Sequence, residues 1–315
     1  MRACNLRLRR VGRSCFRLVA ASAFALSCVA LGAQPTTTAV RPPQQVQLAS
    51  LDTRGGQPVV LNGWWYVAAD ESFVTPTGAL RPAMVLLHGC GGPFSEGTRR
   101  LSVRMREYAA LLTSWGVHVL ITDSLTPRGE VELCTQPLGR RQVTQTHRRR
   151  DAWAALQWLA SQPGVDASRL GLLGWSNGGS TVLAATNATV TEVAQQGVRP
   201  SLAVAYYPGC ADDQRLGYRP TAPLLMMVGA LDDWTPPQPC EELARRWPEG
   251  APRLDFVSFP GAYHGFDGTA PVRHRADVPN GVVPGAGVHL GGHPPSREAS
   301  RQRLRAFLDQ QWRLP

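Results

Sequence analysis

The sequence predicts an α/β protein in which a mostly parallel central sheet carries helices on both faces. Short apolar runs alternate with stretches in which apolar residues recur every three or four positions, as strands and helices do in turn. The runs are apolar throughout, which is typical of strands buried on both faces of a parallel sheet. No repeat period appears in the 315 residues, so one such domain is expected.

The first elements are a strand pair, a buried strand and a helix. Residues 46–51 and 59–67 are rich in β-branched and aromatic side chains and are predicted to pair as strands. Residues 83–87 form a short apolar run, which predicts a buried strand. The helix that follows ends at Gly116, and its apolar stripe comprises Leu101, Met105, Tyr108, Leu112 and Trp115.

The rest of the chain continues the alternation. Apolar runs predict strands at 117–121, 170–173, 202–206, 224–228 and 254–259. Helices are predicted around 152–159, at 181–185, at 241–247 and around 304–311, with Ser296 as a candidate cap of the last one. Two segments, 124–139 and 267–295, have no clear periodicity. We expect them to be loops near the carboxyl ends of the strands, where α/β sheets form their sites.

The first 33 residues have the features of a secretory signal peptide. An Arg-rich start precedes an apolar run over 18–31, which is shorter than the ~20 residues that a membrane-spanning helix needs. Cleavage is expected near Ala33, and a retained membrane anchor is the alternative. The signal predicts export to the periplasm or the extracellular space, with no stable membrane association after the leader is removed.

The net charge of +10 does not predict a nucleic-acid-binding protein. Six arginines lie within the first seventeen residues, where no acidic residue balances them. Without them the formal charge is about +4, which is ordinary for a domain of this size. A hydrophobic content of 43% against 18% charged residues also excludes a disordered chain.

Four cysteines follow the leader: Cys90, Cys134, Cys210 and Cys240. An even number of cysteines in an exported protein predicts disulfides. Four cysteines allow three pairings, and the residues alone do not choose among them.

A candidate nucleophile lies in the sequence Gly-Trp-Ser-Asn-Gly at 174–178, between a predicted strand and a predicted helix. A serine at such a sharp strand-to-helix turn has an exposed hydroxyl, and the flanking glycines leave room for the tight backbone. The amino terminus of the helix directs N–H groups at developing negative charge. Ser176 is therefore the predicted nucleophile, and a chance Gly-Ser turn is the alternative.

A second glycine-rich sequence, His-Gly-Cys-Gly-Gly at 88–92, also follows a predicted strand. Such a loop can direct a backbone N–H at the carbonyl oxygen of a substrate. We assign the expected oxyanion hole to the N–H groups of Cys90 and Asn177, and such a donor lowers the barrier by roughly 2.7–4 kcal/mol in a related system. No chemistry is assigned to the His88 side chain.

The candidate acid and base follow later strands. Asp232 and Asp233 come directly after one strand, but adjacent residues cannot both face one imidazole, so the residues leave the choice open. His264 follows the last predicted strand and is the predicted base. The chain order of serine, aspartate and histidine is the one expected of an α/β-hydrolase fold. Asp123 is a weaker candidate acid.

The remaining polar residues have weaker assignments. Arg128 is a candidate ligand for a substrate carboxylate, together with the arginine run at 148–150, although charge runs are usually solvated. His274, His289 and His293 lack metal-binding spacing and are expected at the surface. The sequence predicts no metal and no organic cofactor.

Together these motifs resemble the dienelactone hydrolase family of α/β-hydrolases over roughly residues 64–308. The sequence predicts an α/β-hydrolase domain at 58–315, after the leader at 1–33 and a segment at 34–57 that combines a flexible lead-in with the first strand. The motifs that carry the resemblance are Leu-His-Gly-Cys-Gly-Gly at 87–92, Asp-Ser-Leu-Thr-Pro-Arg-Gly at 123–129, Gly-Trp-Ser-Asn-Gly-Gly at 174–179, Tyr-Pro-Gly-Cys at 207–210, Asp-Asp-Trp-Thr-Pro at 232–236 and Ala-Tyr-His-Gly-Phe-Asp at 262–267.

The resemblance also implies which cysteines are paired. The family layout places Cys210 and Cys240 at the carboxyl ends of neighbouring strands, so these two are predicted to be bonded. The same layout lets Cys90 and Cys134 face each other near the site.

The resemblance makes Asp232 the preferred acid, because this residue matches the family's acid motif. The dienelactone-cleaving members resemble cysteine enzymes, whereas this chain has Ser176, which favours a different substrate. The expectation is a serine hydrolase that cleaves a carboxylic ester or lactone of a small molecule through an acyl-enzyme on Ser176. The alternatives are a peptidase, thioesterase or acyltransferase with the same triad, or a catalytically silent binding protein with this fold.

Overall fold

A computed structural model describes residues 42–68 and 80–314. Eight of their strands form one sheet in the order β1-β2-β4-β3-β5-β6-β7-β8. These strands are β1 (Gln44–Arg54), β2 (Gln57–Tyr66), β3 (Arg81–Leu87), β4 (His118–Asp123), β5 (Val165–Trp175), β6 (Leu202–Tyr206), β7 (Leu224–Gly229) and β8 (Leu254–Phe259). β2 runs antiparallel to its neighbours β1 and β4, and all other pairs are parallel. The predicted mostly parallel sheet is confirmed.

Helices follow most of the strands. They are α1 (Val103–Ser114), α2 (Gln145–Ala160), α3 (Asn177–Thr186), α4 (Thr191–Ala194), α5 (Ala211–Leu216), α6 (Gln238–Arg245) and α7 (Pro294–Trp312). The side chain of Ser102 begins α1 by accepting a hydrogen bond from the Met105 N–H. At the start of α2, the ring of His147 accepts from the Thr144 N–H. α7 begins with proline, which costs no helical hydrogen bond in the first turn.

The two faces of the sheet carry separate hydrophobic layers. Alternate residues of a strand point to opposite faces, so Val85 and Leu87 pack on the side of α2 and α3. Met84 and Leu86 pack on the other side, with α1 and α7. All four side chains are at most 1% exposed, and burial of each contributes roughly 1.5–3 kcal/mol. β3 is therefore apolar throughout because both of its faces are covered.

Several elements differ from the sequence predictions. β5 is longer than predicted, and the short helices α4 and α5 were not predicted. The segment predicted as one polar loop contains a two-stranded sheet of β9 (Arg273–Arg275) and β10 (Val288–Leu290). The predicted cap of α7 is wrong, because the helix begins at Pro294 after His293, whose ring contacts the Ser296 hydroxyl at 2.7 Å.

The first strand belongs to the main sheet. β1 pairs with β2 along most of its length, as predicted, so the sheet begins before residue 58. The predicted signal peptide at 1–33 and the start of the predicted lead-in lie outside the described residues. Within residues 42–68 and 80–314, no helix combines the length and apolar character that crossing a membrane requires.

The loops at the carboxyl ends of the strands are stabilised by two disulfides. Cys210 and Cys240 are bonded, and so are Cys90 and Cys134. Both pairings implied by the resemblance are confirmed. The first joins the start of α5 to α6, whereas the second joins the loop after β3 to the long loop after β4.

Candidate active site

Ser176 lies at the turn between β5 and α3. β5 ends at Trp175 and α3 begins at Asn177, so the serine alone forms the connection. Its φ of 54° and ψ of −120° are rare for a residue with a side chain and cost roughly 1–3 kcal/mol. The Ser176 N–H donates to the carbonyl oxygen of Tyr206, at the end of β6, at 2.9 Å. This hydrogen bond to a neighbouring strand holds the strained turn in place.

Two glycines make this turn possible. A Cβ on Gly174 would lie 2.2 Å from the Gly178 carbonyl oxygen, and a Cβ on Gly178 would lie 2.0 Å from the Leu87 carbonyl oxygen. No side chain fits at either position, because both distances are far below van der Waals contact. The first turn of α3 can therefore sit directly against the end of β3, which brings the two glycine-rich motifs together.

The structure brings the three predicted triad residues together. The Ser176 Oγ lies 2.9 Å from the His264 Nε2, and the His264 Nδ1 lies 2.8 Å from the Asp232 Oδ2. A carboxylate can only accept, so Nδ1 carries the proton and donates to Asp232, which leaves Nε2 to accept the serine hydroxyl proton. His264 is 3% exposed and Ser176 is 9% exposed. This arrangement can deprotonate the serine and stabilise the imidazolium that forms.

The choice between the two adjacent aspartates is clear from their partners. The Asp232 Oδ1 accepts the N–H groups of Trp234 and Thr235, and its Oδ2 accepts the Thr235 hydroxyl as well as the histidine. Asp233 instead bonds to His289, on β10, through the ring and the backbone N–H. Asp232 is thus fixed toward the triad, and Asp233 is turned away from it.

Asp123, the weaker candidate acid, has a different role. Its carboxylate accepts the N–H groups of Leu125 and Thr126 and the Thr126 hydroxyl. These bonds shape the start of the loop after β4. Asp123 is therefore engaged at this turn and makes no hydrogen bond to the histidine of the triad.

Aromatic rings surround the His264 imidazole. The rings of Tyr207 and Trp234 lie 4.6 Å and 4.7 Å from the ring of His264. Tyr207 also has a φ of 37°, and its hydroxyl donates to Asp267 at 2.6 Å. Burial raises the pKa of the Tyr207 hydroxyl well above its usual range, so this group remains a proton donor. The rings restrict the imidazole to one orientation and keep bulk water away from it.

The two predicted oxyanion donors lie on adjacent segments. Asn177 is the first residue of α3, where a backbone N–H has no helical acceptor. Cys90 lies in the loop after β3, and its carbonyl oxygen accepts the Leu133 N–H at 2.7 Å. Neither the Cys90 N–H nor the Asn177 N–H is a donor in the turn, loop and cap hydrogen bonds of the described residues. Both groups therefore stay the predicted oxyanion donors.

His88 supports the loop that carries Cys90. The His88 ring is fully buried, its Nε2 accepts the Ser124 N–H at 3.3 Å, and its Nδ1 lies 2.7 Å from the Gly89 carbonyl oxygen. This pattern requires the neutral tautomer with the proton on Nδ1. Burial and the nearby Arg148 charge lower the pKa of His88 well below its usual range, which agrees with that tautomer. His88 therefore joins the loop that carries Cys90 to the start of the loop after β4.

The Cys90–Cys134 disulfide ties the same loop to the segment after β4. Cys90 is 6% exposed, and its sulfur packs in a small apolar cluster with Leu125 and Leu133. The covalent bond and the Leu133 hydrogen bond act on one residue of the predicted oxyanion hole. The position of the Cys90 N–H thus depends on a loop 44 residues further along the chain.

Arg128 does not have the predicted role. Its guanidinium forms ion pairs with Asp52 on β1 and Asp151 on α2, at 2.9 Å and 2.8 Å, and also donates to the Ser124 carbonyl oxygen. The side chain is 8% exposed. Burial opposes its charge, but the bonds to Asp151 and Asp52 outweigh burial and raise the pKa of Arg128. All of its nitrogens face protein acceptors, so Arg128 joins structural elements and presents no donor to a substrate carboxylate.

The arginine run and the loop histidines also have protein partners. Arg149 and Arg150 form ion pairs with Glu192, at 2.9 Å and 2.7 Å, and with none of the triad residues. His274 and His289 lie on β9 and β10, with ring centroids 4.9 Å apart. Residues 42–68 and 80–314 contain no group of three or more His, Cys, Asp or Glu side chains arranged to hold a metal ion.

One supporting residue was missed by the sequence analysis. Asp267, 2% exposed, accepts the Trp175 Nε1–H at 3.0 Å, the Tyr207 hydroxyl and the Arg104 guanidinium at 3.1 Å. It therefore ties α1 and the ends of β5 and β6 to the loop that carries His264. Asp267 is the last residue of a motif quoted above, but its partners come from distant parts of the chain and leave no local signal.

A comparison with known families identifies the protein's relatives. The sequence profile of the Dienelactone hydrolase family matches residues 73–279. The chain belongs to the dienelactone hydrolase family. This dienelactone hydrolase family member is accordingly a hydrolase, and its sheet and helices are those of the α/β hydrolases.

Three relatives illustrate the likeness. The chain is 24% identical over 208 residues to a probable 2-oxo-3-(5-oxofuran-2-ylidene)propanoate lactonase of Bradyrhizobium sp, which covers 60% of this chain and 75% of that protein. It is 39% identical over 106 residues to a probable dipeptidyl-aminopeptidase B of Fusarium vanettenii, which covers 31% of this chain and only 10% of that protein. The solved carboxylesterase Cest-2923 of Lactobacillus plantarum superposes with a TM-score of 0.60 at 16% identity, over 87% of this chain and 98% of the other.

Proposed function

We propose that the protein is a serine hydrolase that cleaves a carboxylic ester or lactone of a small molecule through an acyl-enzyme on Ser176. The observation that carries this proposal is the continuous set of hydrogen bonds from Ser176 through His264 to Asp232. Such a set is also an argument against a catalytically silent binding protein, because a binding role needs neither the strained serine nor the aligned imidazole.

The proposed reaction begins when the Ser176 hydroxyl attacks the carbonyl carbon of the substrate and its proton passes to His264 Nε2. The negative charge that develops on the carbonyl oxygen is held by the N–H groups of Cys90 and Asn177. Asp232 stabilises the imidazolium, which then protonates the leaving alkoxide. Water, deprotonated by His264, cleaves the acyl-enzyme and restores the serine. The residues present suffice for each step.

Two comparisons support the ester or lactone class, and two features of the chain bear on which substrate of that class it cleaves. The lactonase relative and the esterase structure above act on such bonds by name. The guanidinium groups of Arg128 and Arg148 face protein acceptors, so the proposal does not require a carboxylate on the substrate. The serine in place of the cysteine of dienelactone-cleaving relatives favours a different ester from theirs.

The nucleophile is tested by labelling with a fluorophosphonate probe. Wild type and Ser180→Ala are expected to be labelled, because Ser180 lies one turn further along α3. Its hydroxyl bonds backbone groups of Gly209 and the Ser176 carbonyl oxygen, and none of the triad side chains. Ser176→Ala is expected to remain unlabelled and to lose turnover of p-nitrophenyl acetate. Equal labelling of wild type and Ser176→Ala would remove Ser176 as the nucleophile.

The acid is tested with a matched pair of neighbours. Asp232→Asn is expected to lower kcat by about 10⁴-fold, as loss of the triad aspartate does in serine proteases, because the imidazole loses the acceptor that sets its tautomer. Asp233→Asn removes the same charge one residue away and is expected to change kcat less than about threefold. Equal losses in both variants would contradict the assignment.

A peptidase is the second candidate, because 31% of this chain matches part of the dipeptidyl-aminopeptidase named above. A panel of p-nitrophenyl esters, aromatic lactones and aminoacyl p-nitroanilides separates the two activities. The proposal predicts that kcat/KM is higher for the esters and lactones. A preference for the anilides that disappears in Ser176→Ala would replace esterase with peptidase.

We also propose that the protein acts outside the cytoplasm. Two disulfides support this location, since disulfides persist in oxidising compartments and are rare in the cytosol. Fractionation of cells that express the full chain is expected to place the oxidised protein in the periplasm or the medium. Recovery of active protein only in the cytoplasm would contradict the proposal.

A further inference from the structure

We propose that Arg148 is a positioning residue of the oxyanion hole, which it holds by bridging the two segments that carry the donors. This inference rests on the proposed acyl transfer at Ser176. From the sequence, Arg148 and its two neighbours were candidate ligands for a substrate carboxylate, with solvated surface charges as the alternative. The structure instead places it beneath the site, 1% exposed, on the first turns of α2.

The two arms of the guanidinium reach different segments. Nη2 donates to the carbonyl oxygen of His88 at 2.7 Å, and Nη1 donates to the side-chain oxygen of Asn177. His88 lies two residues before Cys90, and Asn177 carries the other proposed donor. One rigid planar group therefore sets the distance between the two segments from which the oxyanion donors come. A lysine has a single charged nitrogen and cannot replace this fork.

The start of α2 is fixed where Arg148 needs it. Gln145 donates to the Asn177 carbonyl oxygen at 3.1 Å and accepts the Thr181 hydroxyl at 2.8 Å. Both partners lie on α3, so the first turn of α2 is held against the helix that follows the nucleophile. Arg148 extends from this fixed turn toward the loop after β3. The bridge is thus anchored at its base and at both ends.

Arg148 also differs from the neighbouring arginines in having no ion-pair partner among the described residues. Arg128, Arg149 and Arg150 each form ion pairs, whereas Arg148 has no carboxylate of the described residues within 4.0 Å. Asp151 and Asp123 attract it only from further away. Burial lowers the pKa of Arg148 to about 10, so the side chain remains a cation at neutral pH.

A buried cation without an ion-pair partner is costly in a resting protein. The cost becomes useful when a negative charge develops nearby, because a fixed positive charge then stabilises the transition state more than the ground state. Arg148 touches both donor-bearing segments and is therefore well placed to favour the oxyanion. Its two effects, on geometry and on charge, both act on the transition state.

The test compares Arg148→Gln and Arg148→Lys with Arg149→Gln as the matched control. Arg149 is the next residue on α2 and pairs with Glu192 away from the site. For each protein we would measure kcat and KM with p-nitrophenyl acetate, and the Ki of phenylboronic acid. The boron accepts the Ser176 oxygen as His264 takes the proton, which gives a tetrahedral anionic adduct. Thermal unfolding checks that each variant is folded.

Arg148→Gln is expected to lower kcat at least 30-fold, with KM changed less than threefold and the boronic acid Ki raised in parallel with the loss in kcat. Arg148→Lys is expected to recover part of the loss, since it restores the charge without the bridge. Arg149→Gln is expected to behave as wild type. A folded Arg148→Gln protein with kcat within threefold of wild type would overturn the inference, and so would a fall in kcat with an unchanged boronic acid Ki.

If Arg148→Gln does not fold, Asn177→Ala decides the question, because it removes the side-chain acceptor and keeps the backbone N–H. It is expected to lower kcat at least fivefold and to weaken boronic acid binding by a similar factor. Unchanged kcat in Asn177→Ala would then overturn the inference. Wild-type protein that neither hydrolyses esters nor reacts with a fluorophosphonate would overturn the proposed function itself, whereas reactive wild type with unaffected variants would overturn only the role of Arg148.

Discussion

Gly178 lies so close to the backbone at the end of β3 that replacing it allows a quantitative prediction. Replacement of Gly178 by alanine would place a Cβ 2.0 Å from the Leu87 carbonyl oxygen and 2.6 Å from that of His88. Cβ atoms are essentially never closer than 3.0 Å to such an atom, so α3 or the end of β3 must move by about 1.0 Å. Neither can yield cheaply, since both contacts involve backbone atoms.

That movement would separate the Asn177 N–H from the Cys90 N–H, because α3 carries the first and the segment after β3 carries the second. A 1 Å misplacement in an active site can cost about 10²-fold in rate, and overpacking costs roughly 1–3 kcal/mol of stability. We therefore expect Gly178→Ala to lower kcat/KM for p-nitrophenyl acetate by about 10²-fold and the free energy of unfolding by roughly 1–3 kcal/mol.

The assays are ester hydrolysis and urea-induced unfolding of the same preparations. Gly139→Ala is the control, because a Cβ at Gly139 would meet nothing within 4 Å and its φ is not left-handed. The control is expected to match wild type in both assays. Wild-type kcat/KM in Gly178→Ala would refute the link between this contact and the alignment of the donors, even if the stability fell.

Three further predictions concern groups around the site. The double variant Cys90→Ala/Cys134→Ala is expected to lower kcat about tenfold, because the loop with the Cys90 N–H loses its covalent link to the segment after β4. Esterase assays of the variant, and of wild type with and without dithiothreitol, measure the loss in kcat. Burial lowers the pKa of His118 to about 4 in the folded protein. As the pH falls from 6.5, the unfolded chain therefore binds a proton at this residue before the folded protein does. The free energy of unfolding is expected to drop by about 3 kcal/mol by pH 4. His118→Gln should flatten this part of a plot of unfolding free energy against pH. Arg128→Met is expected to lower the free energy of unfolding by about 3–5 kcal/mol without raising KM, because it leaves the buried Asp151 uncompensated.

Each of these predictions has an outcome that contradicts it. The double cysteine variant would count against the loop argument if its kcat matched wild type, and Cys210→Ala/Cys240→Ala is the control for loss of a disulfide elsewhere. A pH profile of His118→Gln that falls as steeply as wild type would mean that other groups, such as the buried His88, cause the acid sensitivity. A large rise in KM for Arg128→Met, with stability unchanged, would restore its predicted role in substrate binding.

The positions of Ser176 and His264 were predictable because both follow strands that end at the same edge of the sheet. Ser176 follows β5 and His264 follows β8, and although β6 and β7 lie between these strands, all of their carboxyl ends lie along one edge of the sheet, where the loops can meet. Asp232 and Asp233 are a different case, because their position after one strand does not distinguish adjacent residues, and only the resemblance to the family motif favoured Asp232. In the structure Asp232 bonds to His264, whereas Asp233 bonds to His289 on β10, a strand that was not predicted.

The arginines show why charge in a sequence is hard to assign. Arg128 was a candidate ligand for a substrate carboxylate, in a loop predicted to lie near the carboxyl ends of the strands. Its partners Asp52 and Asp151 lie 76 and 23 residues away, so nothing local indicates an ion pair. Arg148 belongs to a run that is typical of a solvated surface, but helical geometry turns it inward while Arg149 and Arg150 reach Glu192. Hydrophobic periodicity predicts which face of a helix is apolar, but it does not predict that a single charged side chain is buried.

The carboxylate of Asp267 has a consequence for how this protein can change its substrate. It fixes Trp175 before the nucleophile and Tyr207 beside the imidazole, and it lies three residues after His264 in the chain. The reacting groups therefore share one internal support. The long segments at 124–139 and 267–295 also hold the site, because Cys134 is bonded to Cys90 and the Gly291 N–H donates to the His264 carbonyl oxygen. Exposed side chains of these segments, such as Val131, Leu138 and Val283, can be varied while those contacts keep the reacting groups aligned, which makes them the natural targets for directed evolution of selectivity.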